Sequence, residues 1–172
     1  MSDTAIEMTP DLIAAGSSMA RVARAAHEAG LSIRILKMAQ STRTAQEAAD
    51  AAGCDVSQIV KSLVFENTAT KKLNLMLVSG GHNADMDYIS KCYGLSFERC
   101  EVRRVRDETG FAIGGVAPIG HLTPIAVYMV RTLLAHSEVW AAAGRPDSVF
   151  SVNPQSLASA IQAEMIDVLA PA

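Results

Sequence analysis

Lys61 is the residue of this chain with the clearest potential for chemistry, because it lies in the middle of a strand-like run at residues 58–65. The run is rich in β-branched side chains, which favour strands, and both of its faces are apolar enough to be covered. An ammonium group is costly to bury without a partner. Two interpretations are open: the lysine extends its stem outward to reach solvent, or it is kept at a pocket for chemistry.

A second segment suited to chemistry is the glycine-rich run at residues 109–120, in which four glycines and one proline interrupt apolar side chains. Glycine lets the backbone approach another backbone or a ligand closely, and proline fixes the direction in which the chain leaves. The run is either a tight bend between strands or a wall of backbone amides that face a bound carbonyl or phosphate group. Its composition fits both interpretations.

Metal and thiol chemistry have little support in the sequence. The chain has 3 cysteines and 4 histidines, and neither set has the spacing of metal ligands or of a CxxC motif. We therefore expect a protein that needs no metal ion or cofactor, with Cys54, Cys92 and Cys100 as reduced thiols. The missing CxxC motif also argues against a redox protein.

Length, composition and charge narrow the class of protein further. The 172 residues, of which 49% are hydrophobic, suffice for one domain with a sizeable core. No apolar run reaches the roughly 20 residues of a membrane span, and the N-terminus lacks the features of a signal peptide, so we expect a cytoplasmic protein without membrane contact. The net charge of −3 disfavours a protein coated by nucleic acid. Four arginines still form a candidate phosphate-contacting patch: Arg99, Arg103, Arg104 and Arg106.

Helices and strands are interspersed along the chain, a pattern typical of a mixed sheet with helices packed around it. Capping residues, glycines and the period of apolar residues locate these elements. Helices are expected at residues 17–30, 44–53, 85–94 and 102–109, and from residue 153 onward. Strands are expected at residues 33–36, 58–65, 73–78, 96–102, 125–130, 138–142, 148–152 and 165–169. A polar turn at residues 67–72 indicates a hairpin, and a weakly structured arm is expected at residues 1–16.

Residues 44–169 resemble the YbaK/ProX family of aminoacyl-tRNA deacylases, whose fold also occurs as the editing insertion of bacterial prolyl-tRNA synthetases. The residues that carry the resemblance are Ala48-Ala49, Gly53, residues 58–65, Thr109-Gly110-Phe111, residues 114–120, Pro124, Val127-Tyr128 and Ala143-Gly144. Residues 114–118 match the GxxxP motif of the family, and the strand lysine at this separation from the motif favours the chemical interpretation of Lys61. The resemblance implies an α/β fold of mixed α+β type: one editing domain over residues 17–172, with a central mixed, partly barrel-like sheet surrounded by helices.

The resemblance also implies an activity. Members of the family hydrolyse the ester that joins a wrong amino acid to the 3′ adenosine of a tRNA, without a metal ion. The resemblance assigns the catalytic role to Lys61, Gly114 and Gly115: the lysine holds the ribose–phosphate or the carbonyl, and the glycine amides stabilise the oxyanion. It places the following residues in the substrate pocket: Ser62, Pro118, Ser148 and Val149. The implied partners are the 3′ end of a mischarged tRNA and prolyl-tRNA synthetase, and the oligomeric state is open between a monomer and a weak homodimer.

Substrate identity is the part that the resemblance leaves open. A small amino acid such as alanine on the tRNA for proline is expected first, because a synthetase rejects a smaller analogue by only about 1–3 kcal/mol per methylene. Cysteine on the same tRNA is the alternative, as is a non-catalytic module that binds an aminoacyl or nucleotide end. Val130 stands where family members often have an acidic residue, and Ser148 where many synthetase insertions have histidine. Both departures are expected near the pocket.

Overall fold

The structure, a computed structural model, describes residues 5–168 of the chain. Within these residues the α-helices are α1 (Ser18–Glu28), α2 (Ala45–Ala52), α3 (Met86–Tyr93), α4 (Val102–Thr109) and α5 (Pro154–Ala160). The strands are β1 (Ile6–Glu7), β2 (Arg34–Lys37), β3 (Val60–Asn67), β4 (Leu73–Ser79), β5 (Phe97–Arg99), β6 (Ala126–Val130), β7 (Val139–Ala142), β8 (Ser148–Val152) and β9 (Glu164–Ile166). Short 3₁₀ helices follow α2 and β6, at Val56–Gln58 and Arg131–Ala135.

The strands form two sheets. The first is antiparallel, in the order β1-β2-β8-β7. The second has the order β5-β3-β4-β6-β9 and is mixed, because β4 pairs with β6, and β6 with β9, in parallel. A parallel bridge between Ile59 and Trp140 joins the start of β3 to β7, so the sheets meet at one corner. This arrangement confirms the expected mixed α+β domain with a partly barrel-like sheet.

Helix ends follow the local signals in the sequence. Four helices begin at a side chain that accepts a backbone N–H at 2.9–3.1 Å, and these caps are Ser17, Thr44, Asp85 and Asn153. Three helices end at a glycine in the left-handed conformation, and these are Gly53, Gly94 and Gly110. The predicted helices are therefore confirmed to within a few residues.

Two hydrophobic clusters hold the elements together. The larger cluster is centred on β4, whose residues are all buried, and on the helices and strands packed around it. The smaller cluster lies between α2, the start of β3 and the antiparallel sheet, and its buried members are Met38, Ala48, Ala49, Ile59, Trp140 and Val149. The two clusters meet at the corner where the sheets join, which is where a strand edge is left open.

That open edge belongs to β3 and corrects one expectation. β4 pairs with β3 from Val60 to Glu66, but β5 pairs only with its last part, from Phe65 to Asn67. The six residues between Val60 and Asn67 are consequently half-buried, whereas the sequence predicted a strand covered on both faces. β5 is short because the chain turns into α4 at Val102, three residues after the strand ends, so the predicted strand at residues 96–102 was too long.

The N-terminal arm is also better ordered than expected. Ile6 and Glu7 form β1 beside β2, and the N–H of Met8 donates to the carbonyl of Ile35 at 2.8 Å. The strand predicted at residues 165–169 appears as β9, although residue 169, like residues 1–4, lies outside the described part of the chain. None of the helices within residues 5–168 is long and apolar enough to cross a membrane.

Candidate active site

A cavity of about 320 Å³ opens beside the uncovered edge of β3. Its walls come from β3, the start of α2, the glycine-rich loop (residues 110–120), β7 and the start of β8. It is lined by five of the predicted site residues, namely Lys61, Ser62, Gly114, Ser148 and Val149. Elements far apart in the chain thus bring these residues to one place, and the volume lies within the range of small-ligand pockets.

The ammonium group of Lys61 lies at the edge of this cavity and is held by neutral acceptors. It donates to the carbonyl oxygen of His82 and, at 3.3 Å, to Oδ1 of Asn83. No carboxylate within residues 5–168 lies in ion-pairing distance of it. Burial lowers the pKa of Lys61 below its ordinary value. The lysine therefore carries a partly desolvated charge that is oriented by the protein but not neutralised.

The floor of the cavity is formed by the smaller hydrophobic cluster, of which Ala48, Ile59, Trp140 and Val149 face the cavity. Ser148 adds a polar group beside them, although its hydroxyl donates to the carbonyl of Arg145 at 3.3 Å and is thereby occupied. A compact apolar floor with few polar groups suits a small side chain better than a long or charged one.

Ser62 supplies an unsatisfied polar atom to the cavity wall. Its Oγ is buried and has no hydrogen-bond partner within the described part of the chain. Leaving a buried hydroxyl without a partner is costly in a folded protein. The atom is therefore a candidate contact for a polar group of the bound substrate.

The glycine-rich loop presents Gly114 to the cavity but uses Gly115 differently from what was expected. The Gly115 N–H donates to the carbonyl of Ala112 at 2.9 Å, and a Cβ at Gly115 would lie 2.8 Å from the backbone of Arg145. Gly115 thus permits close packing between two loops, and its amide is not free for a substrate in this conformation. Gly114 and Val116 both line the cavity, and their N–H groups have no acceptor among residues 5–168.

Two further expectations are corrected. Pro118 is buried and is not among the residues that line the cavity, so its contribution is to the course of the loop. Val130 is fully buried at the end of β6, where it pairs with Ile166 of β9 in the larger core. The valine in place of an acidic residue therefore changes the core, whereas Ser148 lines the cavity as expected.

Some residues at the cavity were not identified from the sequence. Residues 42–45 form its rim, and Arg43 among them is exposed; Ile113 and Pro146 contribute apolar surface. The cap at Thr44 was a clear signal for the start of α2. Nothing in the sequence showed that the first residues of this helix lie at the same cavity as Lys61. Such proximity follows only from the way the sheets meet.

The predicted arginine patch lies at the other half of β3. Arg104 donates to Glu66 at 2.8 Å and to Glu108 at 2.5 Å, and also to the carbonyl of Lys71 at 2.7 Å. Arg103 is within 3.9 Å of Asp107. Arg104 is thus engaged in the structure of the domain, and none of the patch lines the cavity beside Lys61.

Other parts of the surface offer less for chemistry. Larger cavities within residues 5–168, of about 770, 540 and 440 Å³, contain none of the predicted site residues. Among residues 5–168 no three or more His, Cys, Asp or Glu side chains are grouped as metal ligands would be. The Lys61 cavity is therefore the site in which predicted chemistry and observed geometry coincide.

Known proteins are similar to this chain in fold and in sequence. A crystal structure described as a candidate trans-editing enzyme for prolyl-tRNA synthetase superposes with a TM-score of 0.81 and 38% sequence identity, covering 95% of this chain and 99% of the other. The crystal structure of the hypothetical protein APE2540 gives a TM-score of 0.77 at 28% identity, covering 86% of this chain and 98% of its own. YwhH of Bacillus subtilis (strain 168), an uncharacterised protein, is 28% identical over 117 residues, which span 68% of this chain and 74% of YwhH.

The family itself is shown by a match to the model of a protein family. The model of the aminoacyl-tRNA editing domain matches residues 39–160, which is most of the chain and includes Lys61, the glycine-rich loop and both serines of the cavity. The chain therefore belongs to the aminoacyl-tRNA editing domain family.

Proposed function

We propose that this protein is a trans-editing deacylase that hydrolyses the ester of a small amino acid, alanine first, wrongly attached to the tRNA for proline. The observation that carries the proposal is the Lys61 ammonium, positioned by the protein at a compact cavity and paired with no carboxylate of residues 5–168. A cation held in this way, at low local dielectric, can act strongly on a carbonyl oxygen or a phosphate group.

The reaction that fits these residues is addition of water to the ester carbonyl. The water oxygen bonds to the carbonyl carbon and loses a proton, and the carbonyl oxygen becomes an oxyanion. The oxyanion then re-forms the carbonyl while the bond to the ribose oxygen breaks, and that oxygen takes up a proton, which releases the amino acid and the tRNA. The free amides of Gly114 and Val116 are the proposed oxyanion donors, in place of Gly115. Lys61 holds the carbonyl or the neighbouring ribose–phosphate, and the proton passes to water or to the substrate itself.

The proposed selectivity follows from the size of the cavity. Its floor is apolar, with Val149 and Trp140 both almost fully buried, and the hydroxyls of Ser62 and Ser148 stand in the wall. An alanyl side chain adds one methyl group and fits such a floor, whereas the prolyl ring adds three ring carbons and fixes the amine. We therefore propose that alanyl ester is hydrolysed and that prolyl ester is excluded sterically.

The partners and requirements are part of the same proposal. The substrate is the 3′ end of the tRNA, and prolyl-tRNA synthetase is the protein whose errors the activity corrects, as the related crystal structure is described. Because Lys61 and backbone amides supply the positive charge, no metal ion is required. Activity lost with a chelator and restored by a divalent metal would contradict this requirement.

The test is a deacylation assay with a panel of charged tRNAs. Wild-type protein is incubated with the tRNA for proline carrying alanine, cysteine or proline, with and without chelator, and the loss of each ester is followed over time. We expect the alanyl ester to disappear fastest and the prolyl ester to remain. If the cysteinyl ester disappears faster than the alanyl ester, the preferred substrate is cysteinyl-tRNA. Binding of all three tRNAs without hydrolysis would indicate a non-catalytic binding module.

A further inference from the structure

The first helix, α1, packs directly against the loops that form the cavity. Gly120, at φ +85°, lies against the backbone of Arg21, and Gly144, at φ +95°, lies against the backbone of Ser18 with 3.0 Å to a Cβ at that glycine. The hydroxyl of Ser18 also donates to the carbonyl of Gly144 at 2.8 Å. Contact this close leaves little room for a side chain at Gly144, so the helix and this loop lie in tight contact.

Arg21 is the side chain of α1 that holds the glycine-rich loop. Its Nε donates to the carbonyl of Gly120 at 2.8 Å, and its Nη2 donates to the carbonyl of Gly110 at 2.7 Å. The guanidinium carbon lies 4.6 Å from the centre of the Phe111 ring, in the geometry of a cation–π contact. One side chain therefore ties together the first and last residues of the loop.

The charge of Arg21 serves these two carbonyls and the ring of Phe111. No carboxylate of residues 5–168 forms an ion pair with it. The planar guanidinium can donate in two fixed directions at once, which a lysine ammonium on a flexible stem does less well. The arrangement is that of a brace for the loop rather than of a surface salt bridge.

The loop that Arg21 holds at both ends also lines the cavity. Fixing Gly110 and Gly120 fixes the nine-residue connection between them, which presents Gly114 and Val116 to the cavity. The same connection packs through Gly115 on the backbone of Arg145. A small shift of the loop would therefore move the two free amides relative to Lys61.

We propose that Arg21 is a positioning residue that sets the conformation of the glycine-rich loop for ester hydrolysis. The proposal rests on the proposed function, since it assigns the Gly114 and Val116 amides to the oxyanion. Arg21 lies before residues 39–160, the part matched by the editing-domain family, so the chain ahead of that part helps to build its active site. Misplacing catalytic groups by about 1 Å can cost up to about 100-fold in rate.

The test compares Arg21→Ala and Arg21→Lys with Arg24→Ala, which removes an exposed arginine from the same helix. Single-turnover hydrolysis of alanyl-tRNA, tRNA affinity and amide hydrogen exchange over residues 110–120 are measured for each. For Arg21→Ala we expect a rate at least about 10-fold lower, unchanged affinity and faster exchange confined to the loop. Arg21→Lys should be intermediate, added guanidinium at low concentration should partly restore Arg21→Ala, and Arg24→Ala should behave as wild type.

Three results would overturn the proposal. They are an unchanged rate and loop exchange in Arg21→Ala, faster exchange spread over the whole fold, and a loss of rate that guanidinium does not reverse. If Arg21→Ala does not fold, the same readouts in Arg21→Lys decide, because a lysine can keep one of the two hydrogen bonds. Absence of hydrolysis by wild type would instead refute the proposed function, while loop exchange would still test the brace.

Discussion

The two halves of β3 carry charged residues that the protein treats in opposite ways. In the half beside the cavity, the described part of the chain binds Lys61 only through neutral oxygens of residues 82–83, and burial lowers the pKa of Lys61. In the other half, Glu66 accepts a hydrogen bond from Arg104 at 2.8 Å and β5 covers the strand edge. The charge in the structural half is paired, whereas the charge that we propose to act on a substrate is left available.

The difference arises from the length of β5. Because β5 reaches only from Phe97 to Arg99, its partners on β3 are residues 65–67, and the earlier residues keep an open edge. The residues of β3 that line the cavity, from Val60 to Leu63, lie before the part of the strand that β5 covers. One strand thus has a paired, structural half and an open half that carries the proposed chemistry, and substitutions in the two halves should have separable effects.

Among substitutions outside β3, the largest effect is expected from Gly114→Val, in the loop that faces the open half. Gly114 has φ +91°, and a Cβ there would be 3.8 Å from Pro146, so the backbone strain and the branched side chain both act at the cavity. We expect the deacylation rate to fall about 100-fold and the free energy of unfolding to fall by about 1–2 kcal/mol.

Gly94→Val is the matched control for that prediction. Gly94 also has positive φ, +65°, but it ends α3 and no atom outside its chain neighbours lies within 4 Å of a Cβ there. It should lose stability with little loss of rate. Equal rates for the wild type and a folded Gly114→Val protein would reduce the loop to a structural bend.

A smaller and selective effect is expected from Ser148→Val, which places a larger side chain in the cavity wall and so narrows the cavity. The extra methyl groups should lower hydrolysis of the cysteinyl ester, the larger side chain, more than that of the alanyl ester, by about 10-fold at most. Overpacking should cost about 1–3 kcal/mol of stability. Ser151→Val changes a buried serine of the same strand that does not line the cavity, and it should leave the ratio of the two rates unchanged.

A change in stability without a change in rate is expected from Arg104→Ala in the paired half. The substitution removes donors to Glu66, to Glu108 and to the Lys71 carbonyl, whereas Arg103→Ala removes only an exposed contact with Asp107 at 3.9 Å. The denaturant midpoint should fall more for Arg104→Ala than for Arg103→Ala, with both rates near wild type. A slower deacylation by Arg104→Ala would show that the two halves are not separate.

The smallest expected effect is a pH dependence of stability that arises from His121, the residue directly after the glycine-rich loop. Burial lowers the pKa of His121 from its ordinary value of 6.5, and its Nε2 is 2.7 Å from the carbonyl of Ala117. Below pH 6.5 the unfolded chain takes up a proton that the folded protein resists, so the free energy of unfolding should decrease as the pH falls below 6.5. Denaturant titrations at several pH values should show a weaker pH dependence of the free energy of unfolding for His121→Gln than for the wild type.

Local features of the fold were predictable from the sequence, whereas the exposure and the tertiary contacts of individual residues were not. The caps at Thr44 and Asp85 and the hairpin at residues 67–72 depend on neighbouring residues, and all three are observed. The partial exposure of β3 depends on how far β5 extends, and the packing role of Gly115 depends on a loop thirty residues later. Contacts of this kind are tertiary and leave no local signal.

The candidate site shows the same division. Lys61, Gly114 and Ser148 were expected at the pocket and line it, because the resemblance carried their positions. Arg21 was not identified, since its role depends on α1 crossing both ends of a loop about ninety residues away. A single arginine in an amphipathic helix cannot be distinguished by sequence pattern from one that faces solvent.

The most direct test of the account is one measurement on two variants of the same strand. Single-turnover hydrolysis of alanyl-tRNA is compared for Lys61→Ala and Glu66→Gln, with thermal unfolding to verify that both proteins fold. Lys61→Ala should be at least about 100-fold slower than wild type without a loss of stability, because a desolvated charge is removed. Glu66→Gln should keep a rate near wild type and lose stability. A folded Lys61→Ala protein with a near-normal rate would contradict the central claim that the open half of β3 carries the chemistry.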